Sequence, residues 1–106
     1  MSTPLNLLVP AVILGPSPKR PGATRSGGYV LGIEVSINGT RHELNLVTKP
    51  NQTIEEALDY LAKAGFITKN GDKYVILVPT WSLAKARNNV VWVHIEDYER
   101  LRGTTT

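Results

Sequence analysis

Residues able to do covalent or metal chemistry are few in this 106-residue chain, and they are scattered. His42 and His94 are the only histidines, and there is no cysteine. Thiol nucleophiles, disulfides and cysteine-type zinc sites are therefore excluded, and no clustered acid–histidine spacing suggests another metal site. No Gly-Xaa-Ser-Xaa-Gly elbow or phosphate-loop pattern occurs, and no serine has a histidine close by in sequence. The expectation is a non-enzymatic protein with neither cofactor nor metal. The chemistry left is that of binding. In the run Val90-Val91-Trp92-Val93-His94, strand alternation places Val90, Trp92 and His94 on one face and the valines between them on the other. A tryptophan on an outward sheet face is a natural anchor for a protein partner.

Charge narrows the partner class. The net charge is +3, with twelve Lys and Arg against nine Asp and Glu. Lys19, Arg20 and Arg25 lie before residue 28 with no acid beside them, so the remainder is neutral overall. A nucleic-acid-binding domain is usually basic throughout, so nucleic acid is disfavoured as the main partner. The absence of cysteine fits a cytoplasmic location. The apolar run 5–14 falls short of the roughly 20 residues that span a bilayer, and its positive charges follow it rather than precede it, so neither a membrane span nor a signal peptide is expected.

The elements that must position these residues follow from pattern. Residues 29–37 and 40–47 alternate apolar and polar around Asn38-Gly39, the pair favoured in a type I′ turn, and predict a hairpin. Its register pairs Ile37 with Thr40, Val35 with His42, Ile33 with Leu44 and Leu31 with Leu46. It also sets Glu34 opposite Glu43, with Arg41 diagonally placed to relieve the repulsion. Residues 53–66 predict a helix: Ile54, Ala57, Leu58, Leu61 and Ala62 form one stripe, Thr53 and Glu56 a capping box, and Gly65 the left-handed stop. A turn at Asn70-Gly71, a strand over 73–78, a short helix over 82–89 and a central strand over 90–96 complete the order. Trp81 is expected to plug the core, and residues 97–106 to form a polar tail.

Residues 1–28 hold five of the seven prolines and read as a flexible arm ahead of a domain over 29–103, with 104–106 as an extension. The apolar segment 5–14 within the arm is expected either to pack loosely on its own domain or to add as a strand to a partner through Leu7, Leu8, Val12 and Ile13.

The hairpin turn Ile37-Asn38-Gly39-Thr40, the helix start Pro50-Asn51-Gln52-Thr53-Ile54-Glu55-Glu56 and the end Arg100-Leu101-Arg102-Gly103 together resemble the ubiquitin-like family. The resemblance implies an α+β fold of β-grasp type, a mixed sheet packed on one central helix in ββαβ(short helix)β order. It implies either a protein–protein interaction module or a protein modifier conjugated through Gly103, with Arg100, Leu101 and Arg102 leading into the reactive end. The modifier version requires a processing protease to remove residues 104–106, and activating or conjugating enzymes as partners. The family ends in two glycines, whereas this chain has one.

A second stretch, Gly65-Phe66-Ile67-Thr68-Lys69-Asn70-Gly71-Asp72-Lys73-Tyr74, resembles the helix and wing of a winged-helix DNA-binding domain. It implies phosphate contacts by Lys69 and Lys73, aided by Lys19, Arg20 and Arg25. The helix preceding it, however, carries Glu55, Glu56 and Asp59 outward, and a hairpin stands where that family places two further helices.

Overall fold

The computed structural model describes residues 7–17, 22–23 and 27–103. The hairpin forms as its pattern predicts. β1 (Leu8–Pro16) and β2 (Gly22–Ala23) precede β3 (Tyr29–Ile37) and β4 (Thr40–Val47). Asn38 and Gly39 take φ of 52° and 83°, the two left-handed positions of the turn. Every expected pair is present, Glu34 faces Glu43, and the Arg41 guanidinium lies 3.5 Å from the Glu34 carboxylate.

Next comes α1 (Ile54–Lys63), capped by Thr53. The Glu56 N–H donates to Thr53 Oγ1 at 3.1 Å and the Thr53 N–H donates to Glu56 Oε1 at 2.9 Å. The Thr53 backbone N–H first, and its side-chain hydroxyl second, hold the Glu56 carboxyl below its ordinary pKa. At the far end Gly65 adopts φ 87°, the Phe66 N–H reaches back to the Leu61 carbonyl and the Gly65 N–H to that of Ala62. This is a Schellman stop, which delivers Phe66 into the core beside Leu61.

The remaining elements are β5 (Ile67–Asn70), β6 (Lys73–Pro79), α2 (Thr80–Ala84), β7 (Val90–His94) and α3 (Ile95–Gly103). Together they make one mixed α+β domain with the strand order β5-β6-β1-β3-β4-β7, β2 lying beside β3. All neighbours are antiparallel except β4 and β7. The inward face presents Ala11, Ile33, Val35, Leu44, Leu46, Ile76, Val78, Val91 and Val93 to buried residues of α1 and α3. α2 touches both β6 and β7, which are not neighbours in the sheet. α2 follows directly on β6 and so carries the chain from one side of the sheet to β7 at its end.

Four expectations are corrected. The arm does not lie outside the domain: residues 8–16 form an inner strand, β1, paired with β6 on one side and β3 on the other. Pro10 is accommodated because β3 pairing begins only at Val12, beyond the hairpin turn, and Pro16 ends the strand. The last strand is not central; β7 lies at one end of the sheet. Three helices are present rather than one long and one short, because the expected polar tail folds as α3, with Tyr98 and Leu101 buried. The short helix spans Thr80–Ala84 rather than 82–89, since Asn88 and Asn89 at φ 53° and 61° make a tight turn into β7.

α3 is held on three sides. The Tyr98 hydroxyl donates to the Leu77 carbonyl at 2.7 Å, and its ring lies 4.8 Å from that of Phe66. The Leu77 N–H already donates to Phe66, so its carbonyl faces the side where β5 has ended, and Tyr98 replaces the missing backbone donor. Lys49 Nζ meets Glu99 Oε2 at 2.7 Å, which raises the lysine pKa. Arg102 sits over the Tyr60 ring of α1 at 6.0 Å.

Candidate functional site: a tryptophan-lined groove beside the edge strand

β7 sets the site. Val91 and Val93 turn inward, fully buried, while Trp92 is 54% exposed and His94 lies exposed on the same face. The alternation read in the sequence thus holds. Trp81 approaches from α2, which Pro79 starts by ending β6. It packs partly against the core, as expected, and its remaining surface lines a groove shared with Trp92. Both tryptophans of the chain therefore border one concavity of about 350 Å³.

The rest of the lining is polar. The buried Ser82 comes from α2, Lys85 from its C-cap, His94 from β7, and Asp97 and Arg100 from α3. The Arg100 side chain is 79% exposed and lies 4.0 Å from the mostly covered Asp97 carboxylate. Lys85 is also exposed, and the two cations of the lining outnumber its single acid. A concavity with aromatic walls and a few convergent charges binds side chains or small polar ligands.

The other site residues fall elsewhere. Val90 shares the outward face but is half-buried, its N–H and carbonyl exchanged with Arg87 at 2.9 and 3.3 Å. Of the residues expected to meet a partner from the arm, Leu8 and Ile13 pack against this chain's own core, Val12 is half-buried in β1 and Leu7 is exposed just before it. Arg100, Leu101, Arg102 and Gly103 belong to α3, with Leu101 only 4% exposed, so they do not form an extended end. Lys69 and Lys73 are exposed on the β5–β6 hairpin, Lys69 lying 5.9 Å from the Tyr74 ring. Lys19, Arg20, Arg25 and residues 104–106 lie outside the described residues.

His42 borders a separate concavity near the hairpin turn, its Nδ1 3.0 Å from the Thr40 carbonyl, so the two histidines do not converge. Among the described residues no group of three potential ligands could hold a metal ion. No described helix is long and apolar enough to cross a membrane. No known protein family, curated protein or solved structure matches the chain.

Trp81, Ser82, Lys85, Asp97 and Arg100 were not read as groove residues from the sequence. One signal was present: Ile95, Tyr98 and Leu101 recur at helical spacing, with Glu96 and Asp97 in the first turn and Arg100 and Arg102 in the last.

Proposed function

We propose that this protein is a non-enzymatic protein-interaction module whose contact surface is the groove beside β7. The observation that carries this reading is Trp92, a large side chain left 54% exposed although neighbouring positions of the same strand are fully buried. Tryptophan offers wide contact area with little rotamer entropy to lose, which is why it recurs at the centres of interfaces. Trp81, His94 and the charges of α2 and α3 supply a concave, partly polar setting for such a contact.

A ubiquitin-like, β-grasp assignment is supported by the succession β3, β4, α1, β6, α2, β7 and by the Asn-Gly turn. The position of β7 at the sheet edge and the added β1 count against it. Within that reading the interaction version is favoured over the modifier version. Presenting Gly103 as an extended terminus requires unwinding the last turn of α3 and withdrawing Leu101 from the core, a cost of about 1.5–3 kcal/mol for the side chain alone. A nucleic-acid role is weaker still, since the exposed face of α1 carries Glu55, Glu56 and Asp59 toward any phosphate.

Site-specific photo-crosslinking tests the proposal. A benzoylphenylalanine at position 92 in the native host is expected to capture a discrete second protein, while the same group at exposed Thr68 on β5 does not. Equal capture at both positions, or none at 92, removes the reading.

A further inference from the structure

The backbone of β7 adds to what its side chains show. The Glu43 N–H donates to the Asn89 carbonyl at 2.8 Å, which sets the phase of the parallel β4–β7 ladder. In such a ladder alternate residues of one strand turn both backbone groups to the neighbour. Asn89, Val91 and Val93 therefore face β4, whereas Val90 and Trp92 face away. Val90 confirms the phase, because its N–H and carbonyl are exchanged with Arg87 on the opposite side. The tight turn at Asn88-Asn89 ends that pairing after one bridge. The N–H and carbonyl of Trp92 consequently point away from β4, at the edge of β7.

An edge with free backbone groups is a template for another strand. Here it adjoins a concavity about 350 Å³ in volume, lined by Trp81 and Trp92, which can receive a side chain of that strand. Lys85 and Arg100 both line the groove and are exposed, and Asp97 is the one acid of the lining. An acidic residue near the anchoring side chain complements that balance. We propose that the open edge of β7 and the adjoining tryptophan groove bind an extended acidic peptide by strand addition, its backbone pairing with Trp92 and a bulky apolar side chain entering the groove. The proposal deepens the interaction reading above, on which it rests, by naming the occupant.

The test uses the full chain and a random 12-residue phage-displayed peptide library. The expected consensus is a bulky apolar residue flanked by Asp or Glu. A synthetic peptide with that consensus should perturb the amide resonance of Trp92, and N-methylation of alternate peptide nitrogens should abolish binding. Lys85→Glu, an exposed change, should weaken affinity by about tenfold, with Arg100→Gln additive to it. A consensus without acids, perturbations that cluster away from β7, or indifference to N-methylation each overturns strand addition. So does a second copy of this chain, or a single-stranded oligonucleotide, competing where the selected peptide does not. If crosslinking at position 92 captures a protein while the library yields nothing, the surface stands and the mode of binding falls. If both fail, the interaction reading itself falls.

Discussion

Tyr98 shows how one residue ties the interior to the site. Its ring fills the space beside Phe66, and its hydroxyl supplies the donor that β5 no longer provides to Leu77. It also anchors α3, whose Asp97 and Arg100 line the groove. Tyr98→Phe keeps the ring but strands a carbonyl, so urea unfolding should show a loss of about 1–2 kcal/mol. The same residue gives a pH dependence. Burial, with a smaller effect from the Asp97 carboxylate, pushes the phenol far above its ordinary pKa of about 10. Below that value both states hold the proton; above it the unfolded chain releases a proton that the folded chain retains, so stability falls as pH rises. Thermal melts between pH 9 and 11 should show a steeper decline for the wild type than for Tyr98→Phe, and equal slopes would contradict the assignment.

Among the elements, β1 changes the meaning of the N-terminal region most. A proline-rich segment ahead of a hairpin reads as an arm, and its apolar residues as a strip that packs loosely on its own domain or docks on a partner. It becomes an inner strand because the β3–β4 hairpin and the β5–β6 hairpin each leave an open edge, and only this segment joins them. Ala11 sits fully buried where the bridge is made, a small residue beneath the packed helices. Deleting residues 1–17 should therefore abolish cooperative unfolding, with dispersed amide signals lost. An arm reading predicts instead that 29–103 folds unaided, so a well-dispersed spectrum from the truncated chain would restore it.

At the scale of the whole molecule, the strand order predicts a gradient of protection. β3 and β4 are paired on both sides and covered by helices, whereas β5 and β7 close the sheet with one partner each. Native-state hydrogen exchange should be slowest at Val35, Leu44 and Leu46 and fastest among strand amides at Ile67, Lys69 and Trp92, whose N–H groups point from the sheet edges. Slow exchange at Trp92 between fast Val91 and Val93 would reverse the phase assigned to β7. The same order explains why the proposed contact surface lies at one side. The inner strands spend their side chains on the core and their backbones on each other, and the β7 edge is where a large aromatic and an open strand coincide.

Much of the local structure was legible beforehand. The hairpin register, the Asn38-Gly39 turn, the capping box, the Gly65 stop and the outward direction of Trp92 and His94 depend on sterics and periodicity within a few residues, and these act alike in any context. Strand partners are different. A run such as 90–94 satisfies an inner or an edge position equally well, and 8–16 satisfies an arm or a strand, until burial is weighed over the whole chain. The weak helical signal of 95–103 likewise depends on Phe66 and Leu77 to hold Tyr98. The groove combines both kinds of information. The sequence by itself determined that Trp92 points outward; only the tertiary structure decided that Trp81, Lys85 and Arg100 meet it there, because α2 and α3 both pack against β7, a contact set by strand order over the whole chain.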